Sequence, residues 1–136
     1  MVDMTELDVW TVTAPARADQ LPALRRRVGR WLRDHQVPRG QRESIVWIAD
    51  EALGNAVAHS GGGGEPGEVT LSLLLDTETV VLTVQDQGDT AAPTRWRPGL
   101  GLALRMIRAL ADRVELVSEV GRTTFTACCA RGPAWR

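Results

Sequence analysis

Glu51 and Asn55 are a carboxylate and an amide whose spacing could do chemistry. Four residues apart on a helix, they share one line, and this line borders an apolar stripe. The stripe consists of Ile45, Ile48, Ala49, Ala52 and Ala56. A site that needs a general base beside a metal-ligating oxygen would place the two side chains there. The alternative is a solvated glutamate with an asparagine spaced by chance.

Three further segments combine glycine with polar residues. In the segment from Asp86 to Gly88, the carboxylate can accept a hydrogen bond from an exocyclic amine, and the glycine lets a flat ligand approach the backbone. The alternative is a simple turn, since both residues are ordinary in turns. In Gly99 to Leu102 two glycines open a helical pattern, which is either an anion site or a flexible helix start. Gly121 to Thr124, taken alone, is explained by a hairpin turn.

Every basic side chain in the sequence is arginine. The chain has 16 basic and 17 acidic residues, but no lysine and no tyrosine. This composition excludes a Schiff-base lysine, a P-loop lysine on phosphate and the lysine of eukaryotic-type kinases. The net charge of −1 argues against a dedicated nucleic-acid binder, which usually has a strongly basic face.

Hydrophobic periodicity predicts the elements that position these segments. Predicted strands are Leu7–Thr13, Glu68–Leu75, Thr79–Gln85, Val114–Glu119 and Thr123–Ala130, and predicted helices are Asp19–Gln36, Gln41–His59 and Leu100–Ala111. Asp19 is the expected N-cap of the first helix. Tight turns between consecutive strands favour antiparallel pairing, with the helices on one face. The sequence therefore predicts an α+β two-layer sandwich, a mostly antiparallel mixed β-sheet covered by three helices.

Two further features concern the setting of the protein. Cys128 and Cys129 are adjacent, so they would point to opposite faces of a strand, and we expect free thiols in a reducing cytoplasm. The N-terminus lacks the apolar core of a signal peptide, and no apolar run is long enough to cross a membrane. We expect one cytoplasmic domain over residues 1–136, with its core at about 7–130.

In order and spacing, the four segments resemble the N, G1, G2 and G3 boxes of the GHKL superfamily of ATPases, which share the Bergerat ATP-binding fold. The predicted order of elements matches as well, and the resemblance extends over about Leu7 to Ala130. The small size, with Glu-Ala-Leu-x-Asn-Ala-Val-x-His and a later Ala-Asp-Arg-Val, is similar to the bacterial anti-sigma-factor serine/threonine kinases. The all-arginine composition suggests a GC-rich genome, as in actinobacteria.

The resemblance implies a role for each residue. Glu51 would be the general base, Asn55 would hold Mg²⁺ between the triphosphate oxygens, and Asp86 would bind the adenine amine. The remaining nucleotide contacts would come from Gly88, Gly99, Leu100, Gly101, Leu102 and Thr124, with a lid at about residues 89–98. Asp50 is either a carboxylate supporting this site or a solvated side chain. His59 is expected to pack locally at the helix end.

One departure from the family pattern lies in the G1 box. Gly88 is followed by Asp89 and Thr90, where the box often continues to a second glycine. Two functions therefore stay open. The first is an ATP-dependent kinase that phosphorylates an anti-sigma-factor antagonist and binds a sigma factor. The second is an ATP-sensing, partner-binding module without kinase activity.

The resemblance also implies partners: an antagonist of the STAS type, a sigma factor and a second copy of the chain, with no nucleic acid and no membrane. Five arginines between Arg25 and Arg33 form either a solvated helix face or a docking surface for such a partner. If a cation reaches the γ-phosphate it must be an arginine, and Arg95, Arg97 and Arg105 are the candidates.

Overall fold

An alternation of buried and exposed residues organises the sheet of the computed structural model, which describes residues 7–60, 67–86, 100–119 and 121–131. The strands are β1 (Asp8–Pro15), β2 (Glu68–Leu75), β3 (Thr79–Asp86), β4 (Arg113–Glu119) and β5 (Arg122–Ala130). Their spatial order is β1-β2-β3-β5-β4. Every neighbouring pair of described strands is antiparallel. The mostly antiparallel sheet is therefore confirmed, but the described sheet is not mixed.

The described residues include three α-helices: α1 (Leu21–Asp34), α2 (Arg39–Ser60) and α3 (Leu100–Leu110). The order of elements is the predicted one, with an additional 3₁₀ turn at Ala18–Gln20. The predicted N-cap, Asp19, lies inside this turn, where its carboxylate pairs with Arg17. Gln20 takes the N-cap position without a capping side-chain bond. The prediction that Asp19 is the N-cap of the first helix was therefore wrong.

The end of α1 is a Schellman motif without glycine. The N–H of Gln36 donates to Arg33 O at 2.9 Å, and the N–H of Val37 donates to Leu32 O at 3.0 Å, which is the bond pair of that motif. Gln36 has a φ of 63°, in the left-handed region that favours glycine. Val37 is 1% exposed. The motif therefore turns the chain from α1 towards α2 while placing a valine in the core.

The core lies between the helices and one face of the sheet, which confirms the α+β two-layer architecture. On α2 the buried apolar side chains are Ile45, Ile48, Ala49, Ala52, Leu53 and Ala56. They belong to one apolar cluster with alternate residues of β2, β3 and β5, such as Leu73, Leu82 and Phe125. The predicted stripe is present and is widened by Leu53. None of the described helices is both long and apolar enough to span a bilayer.

The far end of the sheet holds a capped turn and the two thiols. In the β2–β3 turn, Asp76 accepts hydrogen bonds from the N–H groups of Glu78 and Thr79, each at 2.7 Å. These bonds lower the pKa of the Asp76 carboxyl. As predicted, both cysteines are free; Cys128 is half-buried and Cys129 buried. Burial raises the pKa of the Cys129 thiol to about 11, and the charges of Asp112 and Cys128 add to the effect.

Candidate functional site

The topology brings the segments predicted to do chemistry to one end of the sheet. Asp86 ends β3 and is paired in register with Val69 and Thr123. Thr123 follows the β4–β5 turn at Gly121, whose φ of 80° suits glycine. At this end α2 also leads into β2. Because α3 packs on β4 and only two residues join them, α3 must run antiparallel to β4, so it begins towards the same end.

Asp86 and Thr123 form a buried polar pair at this end. They are 3% and 2% exposed and lie on the face of the sheet that the helices cover. The Thr123 Oγ1 is buried and has no hydrogen-bond partner within the described part of the chain. An unsatisfied buried hydroxyl costs about 1–3 kcal/mol. A ligand edge with an amine beside an acceptor nitrogen, as in adenine, would donate to the carboxylate and accept from the hydroxyl.

Thr124 lies on the other face of the sheet. It is opposite Gln85 in the ladder, and its Oγ1 accepts a hydrogen bond from Gln85 Nε2 at 3.2 Å. Side chains alternate between the faces of a strand, so Thr123, and not the predicted Thr124, is the threonine beside Asp86. The signal was present in the sequence. The apolar residues Phe125 and Cys129 are buried, and their odd positions put Thr123 on the inner side as well.

Asn55 and Glu51 lie on one turn of α2, at the border of its buried face as predicted. Asn55 is 8% exposed, and its Nδ2 donates to the backbone oxygen of Glu51 at 3.0 Å. This bond orients the amide and leaves its Oδ1 as the atom that could ligate a hard cation. Glu51 is half-buried. The described residues contain no cluster of three acidic, histidine or cysteine side chains that could hold a metal.

Asp50 does not belong to this group. Its carboxylate pairs with Arg25 of α1 at 3.6 Å, which joins α1 to α2 instead of supporting Asn55. The pair lines a groove of about 570 Å³ between the two helices, on the side of the molecule away from the sheet. The groove is formed by Arg25, Arg26, Gly29, Arg30, Arg33, Arg42, Glu43, Val46, Trp47 and Asp50.

The predicted arginine face is therefore split between two surroundings. Arg25, Arg26, Arg30 and Arg33 line the groove, whereas the guanidinium of Arg27 lies 5.3 Å from the centre of the Trp10 ring. The part played by Arg42, Val46 and Trp47 was not predicted. These three residues are spaced so that they share one side of α2. They form a common surface with the arginines of α1 only because the two helices pack together.

Several predicted site residues lie outside the described part of the chain. These are Gly88, Asp89, Gly99, Arg95 and Arg97. Leu100, Gly101 and Leu102 form the start of α3, and His59 lies at the end of α2, but their side chains are outside the described part as well. Arg105 is exposed on α3. The roles predicted for these residues stay predictions.

Comparison with known proteins yields a family and a fold. The sequence matches the model of the histidine kinase-like ATPase domain over residues 14–128. No curated protein matches the chain. Among solved structures, the RsbU and RsbW domains of Rv1364c from Mycobacterium tuberculosis are similar, with a TM-score of 0.72 and 22% identity over 91% of this chain. The match covers 32% of that protein, so the chain spans about a third of its length, and at this identity the likeness concerns the fold alone.

Proposed function

The chain belongs to the histidine kinase-like ATPase domain family, and on this premise we propose that it is an ATP-binding regulatory serine/threonine-protein kinase. Its substrate is an anti-sigma-factor antagonist of the STAS type, and it also binds a sigma factor. The observation that carries the nucleotide site is the buried pair of Asp86 and Thr123, whose hydroxyl has no partner among the described residues. The RsbW domain of the structurally similar protein and the motif resemblance support this branch of the family.

The nucleotide contacts follow from the chemistry of the side chains. Asp86 accepts from the adenine amine and Thr123 donates to a ring nitrogen. Asn55 Oδ1 is the protein ligand for Mg²⁺, and the helix N-terminus at Leu100 offers backbone N–H groups for phosphate oxygens. When bound, MgATP supplies the phosphoryl group that is transferred. These assignments use amides, one carboxylate and a hydroxyl, which suits a chain without lysine.

Glu51 is the residue that we assign as general base. It lies one turn before Asn55, the proposed Mg²⁺ ligand, so the two groups are held by the same rigid helix. The Glu51 carboxylate takes the proton from the attacking hydroxyl of the antagonist. Because its backbone oxygen orients the Asn55 amide, the position of the base and that of the metal ligand are set together.

Phosphate transfer tests this assignment. The purified chain is mixed with ATP, Mg²⁺ and a cognate antagonist, in the wild type and in Glu51→Gln. We expect transfer to fall at least ~100-fold in the variant, with ATP affinity nearly unchanged. Asp50→Asn is the matched control, because it alters the neighbouring carboxylate, which pairs with Arg25; its activity should stay close to wild type. Equal activity of Glu51→Gln and wild type would exclude Glu51 as the base.

The second candidate is an ATP-sensing module that binds its partner without phosphorylating it. The sequence feature in its favour is Asp89, which adds a carboxylate where the G1 box often leads to glycine. Calorimetry with ATP and ADP separates the possibilities. Nucleotide binding without phosphate transfer would select the module, and failure to bind either nucleotide would exclude both functions.

The groove between α1 and α2 is the surface that we propose for a protein partner. Arg26, Arg30 and Arg33 form no ion pair with a described residue, while Glu43 is already paired with Arg39. The groove also exposes part of the Trp47 and Val46 side chains, and arginine with tryptophan is typical of protein-binding surfaces. We place this binding in the cytoplasm, where the free thiols Cys128 and Cys129 would stay reduced.

A further inference from the structure

The groove between α1 and α2 combines an apolar floor with a positively charged rim. A Cβ atom placed on Gly29 would lie 3.7 Å from Cγ2 of Val46, so these two residues face each other at the floor. The side chain of Trp47 also lines the groove and is only half-buried. The groove therefore offers a planar ring a surface on which to stack.

Three guanidinium groups of this rim have no acidic partner. Arg26, Arg30 and Arg33 are four and three residues apart, so they lie on one side of α1. All three are exposed, and none forms an ion pair within the described part of the chain. Their side chains are long enough to converge on one multiply charged anion, and the guanidinium fork matches two phosphate oxygens.

The carboxylates of the groove do not compensate these charges, because each already has a partner. Asp50 lies 3.6 Å from Arg25, and Glu43 lies 3.1 Å from Arg39. The lining as a whole carries five arginines and two acidic residues, in a chain whose net charge is −1. Positive charge is therefore concentrated at this groove, which favours an anionic ligand.

The dimensions of the groove suit a small molecule. Its volume of about 570 Å³ lies within the ~300–1,000 Å³ of ligand-binding clefts. A ligand that uses both the Trp47 side chain and the arginines needs a planar ring and several phosphates, which is the chemistry of a nucleotide. Guanine fits the groove better than adenine does, because its O6 and N7 are adjacent acceptors that match a guanidinium fork. We propose that the groove is a second nucleotide site, separate from Asp86 and Thr123, which binds free guanosine di- or triphosphate.

Nucleotide binding in the groove goes beyond the kinase assignment and does not depend on it. It does bear on the protein partner, since an acidic surface would contact the same guanidinium groups. A guanine nucleotide would therefore compete with the partner for the groove. This competition rests on the partner surface proposed above, whereas nucleotide binding itself does not.

Calorimetric titration of the full chain with GTP tests the proposal. The titration is made without Mg²⁺, so that the phosphates are free to contact arginine. Guanine carries an oxygen where adenine carries its amine, so GTP does not suit the Asp86 carboxylate and reports on the groove. Tripolyphosphate is the second probe, because it supplies phosphate charge without a ring. We expect the wild type to bind both probes with dissociation constants below ~1 mM.

Two variants separate the contacts to phosphate from the contact to the ring. Arg30→Gln should weaken GTP and tripolyphosphate at least ~10-fold each, because a charge-assisted bond to phosphate is lost. Trp47→Leu should weaken GTP at least ~5-fold and leave tripolyphosphate unchanged, because stacking of the base is lost. Arg108→Gln is the matched control, since it removes an exposed charge on α3; it should bind GTP like wild type.

All variants should have the wild-type circular dichroism spectrum, and the two arginine variants decide the matter even where Trp47→Leu fails to fold. A wild type that binds no GTP at ~1 mM would overturn the proposal. Unchanged GTP affinity in Arg30→Gln would place the nucleotide elsewhere and overturn it too. Equal losses in Arg30→Gln and Arg108→Gln would mean attraction to positive charge without a site. If Trp47→Leu weakened both probes equally, the ring would not be recognised and the proposed ligand class would be wrong.

Discussion

Thr123 and Thr124 are neighbours in the sequence but differ in what their hydroxyls contact. The Thr123 hydroxyl is buried beside Asp86 without a partner among the described residues, and the Thr124 hydroxyl is bonded to Gln85 on the opposite face of the sheet. Replacing each threonine by valine distinguishes which of the two contacts the nucleotide, because Thr→Val removes the hydroxyl and preserves the branched shape.

We predict that Thr123→Val weakens ATP binding about fivefold, since one hydrogen bond to a ligand is worth about 1 kcal/mol. The same change should raise the free energy of unfolding without ligand by up to ~1 kcal/mol, because a buried unsatisfied hydroxyl is removed. Calorimetric titration and thermal unfolding measure the two effects.

Thr124→Val is the control for this prediction. It removes the bond to Gln85 but should leave the ATP affinity unchanged, because the side chain lies on the opposite face from Asp86. If Thr124→Val weakened ATP binding more than Thr123→Val, the original sequence-based choice of Thr124 would be restored and the site would not follow the ladder register.

At the scale of secondary-structure elements, the end of α1 contains a local strain. Gln36 has the left-handed φ of 63°, which costs a residue with a side chain ~1–2 kcal/mol relative to glycine. The strain is maintained because the Schellman bonds and the burial of Val37 require this geometry.

We predict that Gln36→Gly raises the free energy of unfolding by ~0.5–1 kcal/mol, the relief of strain being partly offset by the greater freedom of glycine in the unfolded chain. Urea unfolding measures it. The matched control is Gln20→Gly, since Gln20 has a φ of −86°, where glycine brings no relief; it should destabilise by a similar amount. If the Gln36→Gly protein were no more stable than wild type, the backbone at Gln36 would not be strained.

The sequence predicted the elements well where periodicity is strong. The strand Glu68–Leu75 has the predicted bounds, because its alternation is closed by Asp76 and by glycines. The predicted helix start at Asp19 was wrong, because capping preferences alone could not show that the Asp19 carboxylate pairs with Arg17. Glu51 and Asn55 could be singled out because the helix period places them on one line, and Asp86 because it follows an apolar strand two residues before Gly88. Thr123 could also have been chosen over Thr124 from the alternation of β5, because Phe125 and Cys129 share its side. The sequence alone could not give the pairing of Thr123 with Asp86 across β3 and β5.

At the scale of the whole molecule, the proposed partner groove is distinguished by its charge. The groove is formed by α1 and α2, and its lining combines five arginines with only two acidic residues. We therefore expect the partner to present an acidic surface to it.

We predict that Arg30→Glu weakens binding of the protein partner at least ~10-fold, because charge reversal in a complementary contact costs more than ~1.4 kcal/mol. ATP binding and the oligomeric state should not change. Pull-down from the native host identifies the partner, and titration with the purified partner measures the effect. The matched control is Arg108→Glu, which reverses an exposed charge on α3. Equal partner affinity of Arg30→Glu and wild type would mean that this arginine face is only solvated.

The alternation of β3 divides its side chains into two sets. Leu82, Val84 and Asp86 face the helices, while Thr83 and Gln85 face outwards. A slip of one residue would exchange the two sets, moving the proposed adenine ligand to the other face of the sheet and turning leucine and valine away from the core. A one-residue deletion within β3 would therefore exchange the inward and outward side chains of the residues on one side of the deletion. The turn that Asp76 caps sets which β3 residues face the helices, so one half-buried carboxylate at the far end of the sheet helps to decide which side of the molecule can hold a nucleotide.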